Sequence, residues 1–266
     1  MSAQNIERSK LLVCCKKNPR AKINLFCFPY SGAGPAVFRR WVNLLPDAVE
    51  VWAVQLPGRE ARHMEPMNAR LYQVVEEAVQ QITLVSTQVA ESARPFAFYG
   101  HSLGAYLAYC VALKMKSISD DSLRPEGLFL SGRRSPDHAC DELLSTLTDN
   151  MLTKRLAEMG GISAEFAAEP EFLRMALPKL RYDLSLNETA LPVELSEIDK
   201  KIAAPFWIYR GLQDGQAPEV LVQTWQNFTA LECMHSTVPG DHFFVTNNTS
   251  SFMPKFVAGL RAVFPN

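Results

Sequence analysis

Short apolar runs alternate with amphipathic stretches along most of the chain. The apolar runs, which end near Pro or Gly, predict buried strands at residues 22–28, 49–55, 95–100, 127–132, 204–211 and 232–238. Apolar residues at helical spacing predict helices at 35–45, 71–90, 103–115, 218–228 and 250–264, with Pro254 in the first turn of the last. This order predicts an α/β fold: a mostly parallel central sheet with helices on both faces.

Residues 137 to about 198 interrupt this alternation, because several helix-like segments follow one another without a convincing strand. A long excursion between core strands of an α/β domain is usually functional. We therefore interpret the segment as a helical lid inserted into a single α/β domain that spans residues 1–266. The alternative is a helical subdomain that only adds core.

Charge and cysteine content narrow the classes of function. The 27 basic and 28 acidic residues leave a net charge of -1, so no overall field attracts nucleic acid or an anionic membrane. The six cysteines show no metal-ligand spacing and are expected to be reduced thiols. No signal-peptide core and no run of ~18 apolar residues occurs. We expect a soluble cytoplasmic protein, with a monomer as the default state.

The segment GHSLG (residues 100–104) matches G-x-S-x-G and lies between a predicted strand and a predicted helix. A nucleophile elbow requires this context, because its serine occupies a strained turn and the flanking glycines let strand and helix approach. We expect Ser102 to be the nucleophile and His101 to be a supporting residue whose side chain leaves the turn in another direction. The alternative is a glycine-rich turn with an incidental serine.

A serine hydroxyl needs a base, and the base needs an acid that holds its tautomer. His242 follows the last predicted strand, at the sheet edge where the nucleophile is expected, and a solvated loop histidine is the alternative. Asp214 lies between Ser102 and His242 in chain order, in a Gly-bracketed loop after a strand. We expect Asp214 to be the acid; it could instead form a turn that caps the next helix, and Asp183 is the reserve candidate.

An oxyanion hole needs two backbone N–H groups. Leu103, directly after the nucleophile, supplies the first. The loop FPYSGAG (residues 28–34) is expected to supply the second, from Ser31 or, failing that, from Tyr30. No H-E-x-x-H, metal-ligand cluster, phosphate-binding loop or dinucleotide fingerprint occurs, so we expect neither a metal nor a dissociable cofactor.

Several stretches together resemble the type II thioesterases, α/β-hydrolases that accompany nonribosomal peptide and polyketide synthases, and their relative that releases medium-chain acids from animal fatty acid synthase. The similar stretches, nearly end to end, are LFCFPYSGAGPAVFRRW, VQLPGREAR, YGHSLGAYLAY, LFLSGRRSP, LPKLRYD and PGDHFF. Ser31 and Ala33 stand where Ala and Gly are usual in the oxyanion loop, and Gly215 stands where Pro commonly follows the acid.

The resemblance implies hydrolysis of acyl thioesters, including stalled or misprimed ones, on the phosphopantetheine arm of carrier proteins. Carrier proteins are typically acidic, so we expect a modest basic patch near the lid mouth, with Arg59, Arg133 and Arg134 as contributors. Alternatives are a chain-releasing medium-chain thioesterase of fatty acid synthesis and a general carboxylesterase or lipase with the same triad. A non-catalytic scaffold that binds synthase proteins is the alternative from a different class.

Overall fold

A computed structural model describes residues 10–88, 94–118, 123–138, 140, 142–189 and 199–265 of the chain. The strands are β1 (Leu12–Lys16), β2 (Ile23–Phe28), β3 (Val49–Val54), β4 (Phe96–His101), β5 (Leu128–Ser131), β6 (Phe206–Gly211) and β7 (Cys233–Val238). The α-helices are α1 (Ala36–Arg39), α2 (Leu71–Gln88), α3 (Leu103–Ile118), α4 (Asp149–Glu158), α5 (Ala164–Ala167), α6 (Pro170–Asn187), α7 (Glu219–Gln223), α8 (Phe244–Asn247) and α9 (Thr249–Val263).

The described strands form one seven-stranded sheet in the order β1-β3-β2-β4-β5-β6-β7. Every neighbouring pair is parallel except β1 with β3. This confirms the predicted α/β fold with a mostly parallel sheet. The strand ends are also aligned, with Phe28 opposite Gly100 and Gly211 opposite Val238, so the loops that follow these strands emerge at one edge.

Both faces of the sheet are buried, as is usual for parallel strands covered by helices. Alternate residues of β2 and β4 face opposite sides: Phe26 and Phe98 pack with helices α2 and α3, whereas Cys27 and Tyr99 pack with α9. The α9 side is rich in aromatic rings, and Trp41 contacts Tyr99 there with ring centroids 4.8 Å apart. The continuous apolar strand sequences thus reflect burial on both faces.

The hydrophobic pattern did not predict strand β1. Its residues are mostly half-buried, and β1 pairs antiparallel with β3 at the edge of the sheet, with a register irregularity between Cys14 and Lys16. An edge strand of this kind depends on pairing with a distant segment rather than on its own periodicity. Strand β1 is therefore a product of tertiary pairing.

Two predicted helices are divided or shortened in the structure. The helix expected at 35–45 is α-helical only over Ala36–Arg39, and a tighter turn follows, in which the Leu44 N–H donates to the Trp41 carbonyl at 2.8 Å. The helix expected at 218–228 divides into α7 and a 3₁₀ segment, Thr224–Phe228, in which Trp225 and Phe228 are buried. In both places the burial of large aromatic side chains accompanies the tighter turns.

Pro254 lies inside α9 rather than in its first turn, because the helix begins at Thr249. An interior proline removes one intrahelical hydrogen bond, here to the carbonyl of Ser250. Ser250 and Pro254 are both exposed, so water can reach the freed carbonyl. The position of this proline in the helix was therefore predicted wrongly.

Between β5 and β6 the described chain, residues 142–189, is helical and contains no strand. Helices α4 and α6 enclose a small core of their own, made of Leu152, Leu156, Ile162, Leu177 and Leu184. We call residues 142–189 the helical insertion. Residues 190–198 of the predicted lid, and residues 89–90 of the helix predicted at 71–90, lie outside the described residues.

Neither a candidate membrane span nor a metal-binding cluster occurs in the described part of the chain. None of its helices combines the length and apolarity needed to cross a bilayer. None of its groups of His, Cys, Asp and Glu side chains has three members arranged to hold a metal ion.

Candidate active site

Ser102 occupies a sharp turn between β4, which ends at His101, and α3, which begins at Leu103. Its φ of 53° lies in the left-handed region, which non-glycine residues rarely adopt, so the backbone is strained there. A Cβ on Gly100 would overlap the Gly104 carbonyl, and a Cβ on Gly104 would overlap the Phe28 carbonyl. The two glycines thus permit the close approach that a nucleophile elbow requires.

His242 and Asp214 lie together at the same sheet edge. The His242 Nδ1 is 3.0 Å from Asp214 Oδ2, and both residues are buried, with 6% and 3% exposure. The other carboxylate oxygen of Asp214 accepts the N–H groups of Gln216 at 2.9 Å and Ala217 at 3.2 Å. Asp214 therefore forms the turn before α7 and also contacts the imidazole.

The environment of Asp214 favours its charged form. Burial by itself raises the pKa of this carboxyl, but the hydrogen bond and charge of His242 and the Gln216 N–H act in the opposite direction. The net result is a pKa below the ordinary value. Asp214 is consequently an anion at neutral pH, suited to stabilise a protonated imidazole.

Ser102 and His242 line one cavity of about 300 Å³. Within the described residues no hydrogen bond joins the Ser102 and His242 side chains, although both side chains line the same cavity. Tyr30 and Ser31 line it too. The remaining wall is mixed. Its polar side chains are Arg133, Arg134, Glu142, Arg155, Asn187, Glu188 and Gln216, and its apolar side chains include Leu144, Leu156, Met159, Leu180, Leu184 and Phe243.

His101 lies beneath the elbow and belongs to a buried polar network. Its Nδ1 is 2.9 Å from Ser131 Oγ, which is also 2.8 Å from the Tyr99 hydroxyl. Burial, followed by the nearby charge of His242, lowers the pKa of His101 to about 3, although Asp214 acts against this shift. His101 is therefore neutral at physiological pH and packs against His242, with ring centroids 5.0 Å apart.

The two amides considered as oxyanion donors, those of Tyr30 and Ser31, are both available in the described structure. The Gly32 N–H donates to Asp183 Oδ2 at 2.7 Å, and the Ala33 N–H donates to the Tyr30 carbonyl at 3.0 Å. Neither the Tyr30 nor the Ser31 N–H donates to another described residue. Leu103 is the first residue of α3, so its N–H has no intrahelical acceptor.

Asp183, the reserve candidate for the acid, is placed elsewhere. Its carboxylate is fully buried and binds the Arg59 guanidinium through two hydrogen bonds, of 2.7 and 2.8 Å. The same contact removes Arg59 from the surface, so the prediction that Arg59 belongs to an exposed basic patch was wrong. The sequence stretches LPGRE and LRYD contained both residues, but nothing in the local pattern indicated that they pair.

The other two arginines of the predicted patch lie at the cavity. Arg133 points inward: its guanidinium donates to Asn187 Oδ1 at 2.6 Å and lies 4.9 Å from the centroid of the Tyr106 ring. Burial lowers the pKa of Arg133. Arg134 contributes to the cavity wall. These two cations therefore shape the inside of the site and its contact with α6.

Comparisons with known proteins place this geometry among thioesterases. The Thioesterase domain family model matches residues 23–257. Gramicidin S biosynthesis protein GrsT of Aneurinibacillus migulanus is 30% identical over 257 residues, 96% of this chain and 95% of that protein. The medium-chain S-acyl fatty acid synthase thioesterase of Rattus norvegicus is 29% identical, over 97% and 95%. The solved structure of RedJ, a thioesterase from the prodiginine biosynthetic pathway in Streptomyces coelicolor, matches with a TM-score of 0.79 and 28% identity, over 93% of this chain and 88% of that one.

Proposed function

The chain belongs to the thioesterase domain family, and on that premise we propose that it hydrolyses acyl thioesters on the phosphopantetheine arm of carrier proteins. Members of this family are thioester hydrolases. The similarity to GrsT and to RedJ, which are named for antibiotic and prodiginine biosynthesis, supports a type II thioesterase that serves a peptide or polyketide synthase. Its role would be to remove stalled or misprimed acyl groups and so restore the carrier thiol.

The observation that carries the catalytic proposal is the placement of Ser102 and the His242–Asp214 pair around one cavity. Because His242 Nδ1 faces Asp214, its Nε2 is left to accept the proton of the Ser102 hydroxyl. The serine oxygen then attacks the thioester carbonyl, and the anionic Asp214 stabilises the imidazolium that forms. Catalytic hydrogen bonds often shorten only when substrate binds, so Ser102 and His242 need not be bonded beforehand.

The tetrahedral intermediate carries its negative charge on the former carbonyl oxygen. The N–H groups of Leu103 and Ser31 stabilise that oxyanion from two sides in this proposal. Collapse of the intermediate breaks the carbon–sulfur bond, and His242 gives its proton to the departing thiolate. His242 then removes a proton from water, which attacks the acyl-serine ester. The ester C–O bond breaks, His242 gives that proton to the Ser102 oxygen, and the free acid leaves.

The cavity supports short or polar acyl groups as the substrate class. Its volume of about 300 Å³ is at the lower end of the roughly 300–1,000 Å³ common for small-molecule sites. Charged and amide side chains from the loop after β5 and from the helical insertion also face into it. Apolar side chains such as Leu156, Leu180 and Leu184 can contact an acyl chain, and the small volume favours short chains and the editing role over the release of medium-chain acids.

The proposal also covers the compartment, the partner and the absence of a cofactor. We place it in the cytoplasm, because all six cysteines are free thiols and such cysteines are typical of a reducing compartment. The carrier protein is a partner rather than a cofactor, and we propose no metal or dissociable cofactor. That the helical insertion acts as a lid, and that the protein is a monomer, stay predictions.

The test uses a purified carrier protein loaded with acetyl or aminoacyl phosphopantetheine, with release followed by intact mass. We expect the wild-type protein to restore the free thiol and Ser102→Ala to leave the acyl group in place. The same acyl group on an oxygen-ester analogue of pantetheine is the control, and it should be hydrolysed more slowly. No release from any loaded carrier by folded protein would refute the proposal, and equal turnover of the oxygen ester would indicate a general esterase.

A further inference from the structure

Arg59 and Asp183 form a buried ion pair that joins two distant parts of the chain. Arg59 follows β3, and Asp183 lies on α6, 124 positions later. The guanidinium donates in parallel to both carboxylate oxygens, and the two side chains are 6% and 0% exposed. Bidentate, charge-assisted pairs of this kind impose a defined geometry as well as attraction.

Each partner of the pair also holds the backbone of the oxyanion loop. Asp183 Oδ2 accepts the Gly32 N–H at 2.7 Å, and Arg59 Nη1 donates to the Ala33 carbonyl at 2.7 Å. These are the two residues directly after Ser31, whose own N–H is the proposed oxyanion donor. The orientation of the Ser31 backbone is therefore constrained from the next two residues.

Gly32 is also in contact with α6. Its φ of 82° is a left-handed conformation, and a Cβ at this position would lie 2.7 Å from Leu180 Cδ2. Leu180 and Asp183 lie three residues apart and therefore on the same face of α6. The oxyanion loop thus lies against the helical insertion, with one apolar and one ionic contact.

The next residue of the LPGRE stretch, Glu60, contacts helix α1, which follows the oxyanion loop. Its Oε1 accepts the Ala36 N–H at 3.2 Å, and its Oε2 pairs with Arg39 at 3.1 Å. Glu60 has a φ of 44°, and a strained non-glycine residue of this kind persists only where its surroundings hold it. Arg59 and Glu60 together therefore contact the chain after Ser31, at Ala33 in the loop and at the start of α1.

We infer that Arg59 and Asp183 are positioning residues that hold the Ser31 N–H in place for the oxyanion and connect it to α6. This inference rests on the proposed function, since it concerns the same oxyanion hole. Neither side chain contacts the reacting atoms in this account; both act through the backbone of Gly32 and Ala33. It assigns a role to the LPGRE stretch, which otherwise serves only as a family signature.

The first test compares Asp183→Asn, Arg59→Gln and the double variant in hydrolysis of an acyl-carrier thioester. Misplacement of a catalytic group by about 1 Å can lower the rate by about 100-fold, so we expect kcat to fall by roughly 10- to 100-fold with little change in KM. The double variant should lose about as much as either single variant, because the two residues act as one unit. Affinity for a trifluoromethyl ketone, which forms an oxyanion on the serine, should fall in parallel with kcat/KM.

Glu77→Gln is the matched control. Glu77 pairs at 3.2 Å with Arg62, which has a 7% exposed side chain and donates to the Gln55 carbonyl rather than to the oxyanion loop. The Glu77→Gln variant should keep the wild-type kcat even if its free energy of unfolding falls. Arg59→Lys, which keeps the charge but not the bidentate geometry, replaces any variant that does not fold. Wild-type kcat in a folded Asp183→Asn or Arg59→Lys protein would overturn the inference.

A second readout does not depend on turnover. Amide hydrogen exchange of the peptide that spans residues 29–36 should be faster in Asp183→Asn than in wild type, with α9 unchanged. If the wild-type protein hydrolyses no thioester, the proposed function fails. Hydrogen exchange would still measure whether the Arg59–Asp183 pair restrains the backbone of the oxyanion loop. Unchanged exchange in this peptide would show that the pair does not position it and would overturn the inference by itself.

Discussion

At the scale of single residues, the Asp214 carboxylate makes two kinds of contact, one with the backbone of a turn and one with an imidazole. Its Oδ1 accepts the N–H groups of the turn before α7, and its Oδ2 faces the His242 imidazole. The turn therefore orients the carboxylate toward His242. Gly215, which stands where a proline is usual, has open space around its Cα and adopts no left-handed conformation, so the turn forms without proline.

Asp214→Asn tests the acid. The amide keeps the shape of the carboxylate but cannot stabilise the imidazolium and favours the wrong tautomer of His242, so we expect kcat to fall by roughly 10⁴-fold. Steady-state hydrolysis of a loaded carrier measures this. Asp241→Asn is the control, because Asp241 is exposed and, among the described residues, its carboxylate accepts only the Phe243 N–H, at 2.8 Å. Similar losses in the two variants would contradict the assignment of Asp214.

His101 predicts a pH dependence of stability. Its folded pKa is lowered to about 3, whereas the unfolded chain has the ordinary value of about 6.5. As pH falls below about 6.5 the unfolded state takes up a proton that the folded state excludes. The free energy of unfolding should therefore fall by up to about 1.4 kcal/mol per pH unit between about pH 6.5 and pH 3. Above about pH 6.5 both states hold a neutral His101, and the stability is no longer reduced by this residue.

Urea unfolding at pH 7 and pH 5 measures this dependence. The difference between the two midpoints should be smaller in His101→Asn than in wild type, because asparagine does not titrate. His63→Asn, at an exposed histidine, should keep the wild-type difference. An unchanged difference in His101→Asn would show that His101 does not exclude the proton.

At the scale of elements, the elbow depends on how closely three backbones approach. Gly100 lies against the Gly104 carbonyl, and Gly104 lies against the Phe28 carbonyl at the end of β2. Helix α3 is therefore in contact with β4 and with the strand that leads into the oxyanion loop. This contact joins the start of α3, which carries Leu103, to the strand that leads to Ser31.

Gly104→Ala tests this packing. The added methyl group meets backbone rather than a flexible side chain, so we expect unfolding to become easier by at least about 3 kcal/mol, at the upper end of overpacking effects. Gly215→Ala is the matched control, since nothing lies within 4 Å of its Cβ position, and it should change stability by less than about 0.5 kcal/mol. Chemical denaturation of both variants measures the difference, and equal stability would contradict the described contact.

At the scale of the whole molecule, the cavity forms between the sheet edge and the helical insertion. Loops after β2, β4, β5, β6 and β7 supply Ser31, Ser102, Arg133, Gln216 and His242, and α6 supplies Leu180 and Leu184. Because the insertion forms much of one wall, it determines how much acyl group can enter. The same insertion contacts the oxyanion loop through Asp183.

Met159→Ala tests whether the insertion limits acyl size. Met159, at the end of α4, lines the cavity, and its truncation opens space for a longer chain. Removal of this volume should raise kcat/KM for octanoyl-carrier relative to acetyl-carrier by about 10-fold or more. Met151→Ala is the control, because Met151 lies on the same helix but is 53% exposed. A ratio that stays constant in Met159→Ala would show that another part of the protein limits chain length.

Much of the architecture could be predicted from local patterns in the sequence. Six strands of the sheet, the parallel arrangement and the turn around Ser102 were predicted because apolar periodicity and glycine spacing are properties of neighbouring residues. The sequence order of Ser102, Asp214 and His242 identified candidates for one site, and parallel strand ends explain why such distant residues meet. Strand β1 and the tight turns near Trp41 and Trp225 were not predicted, because they depend on pairing and packing with distant segments.

The sequence by itself therefore determined the α/β class and the family, together with the candidate nucleophile, base and acid. The tertiary structure decided what each charged residue does. Arg59 and Asp183, expected at the surface and as a reserve acid, proved to be partners 124 positions apart. Charges have no periodicity that reveals their partners, and whether a cation is exposed or buried depends on which distant segment folds against it.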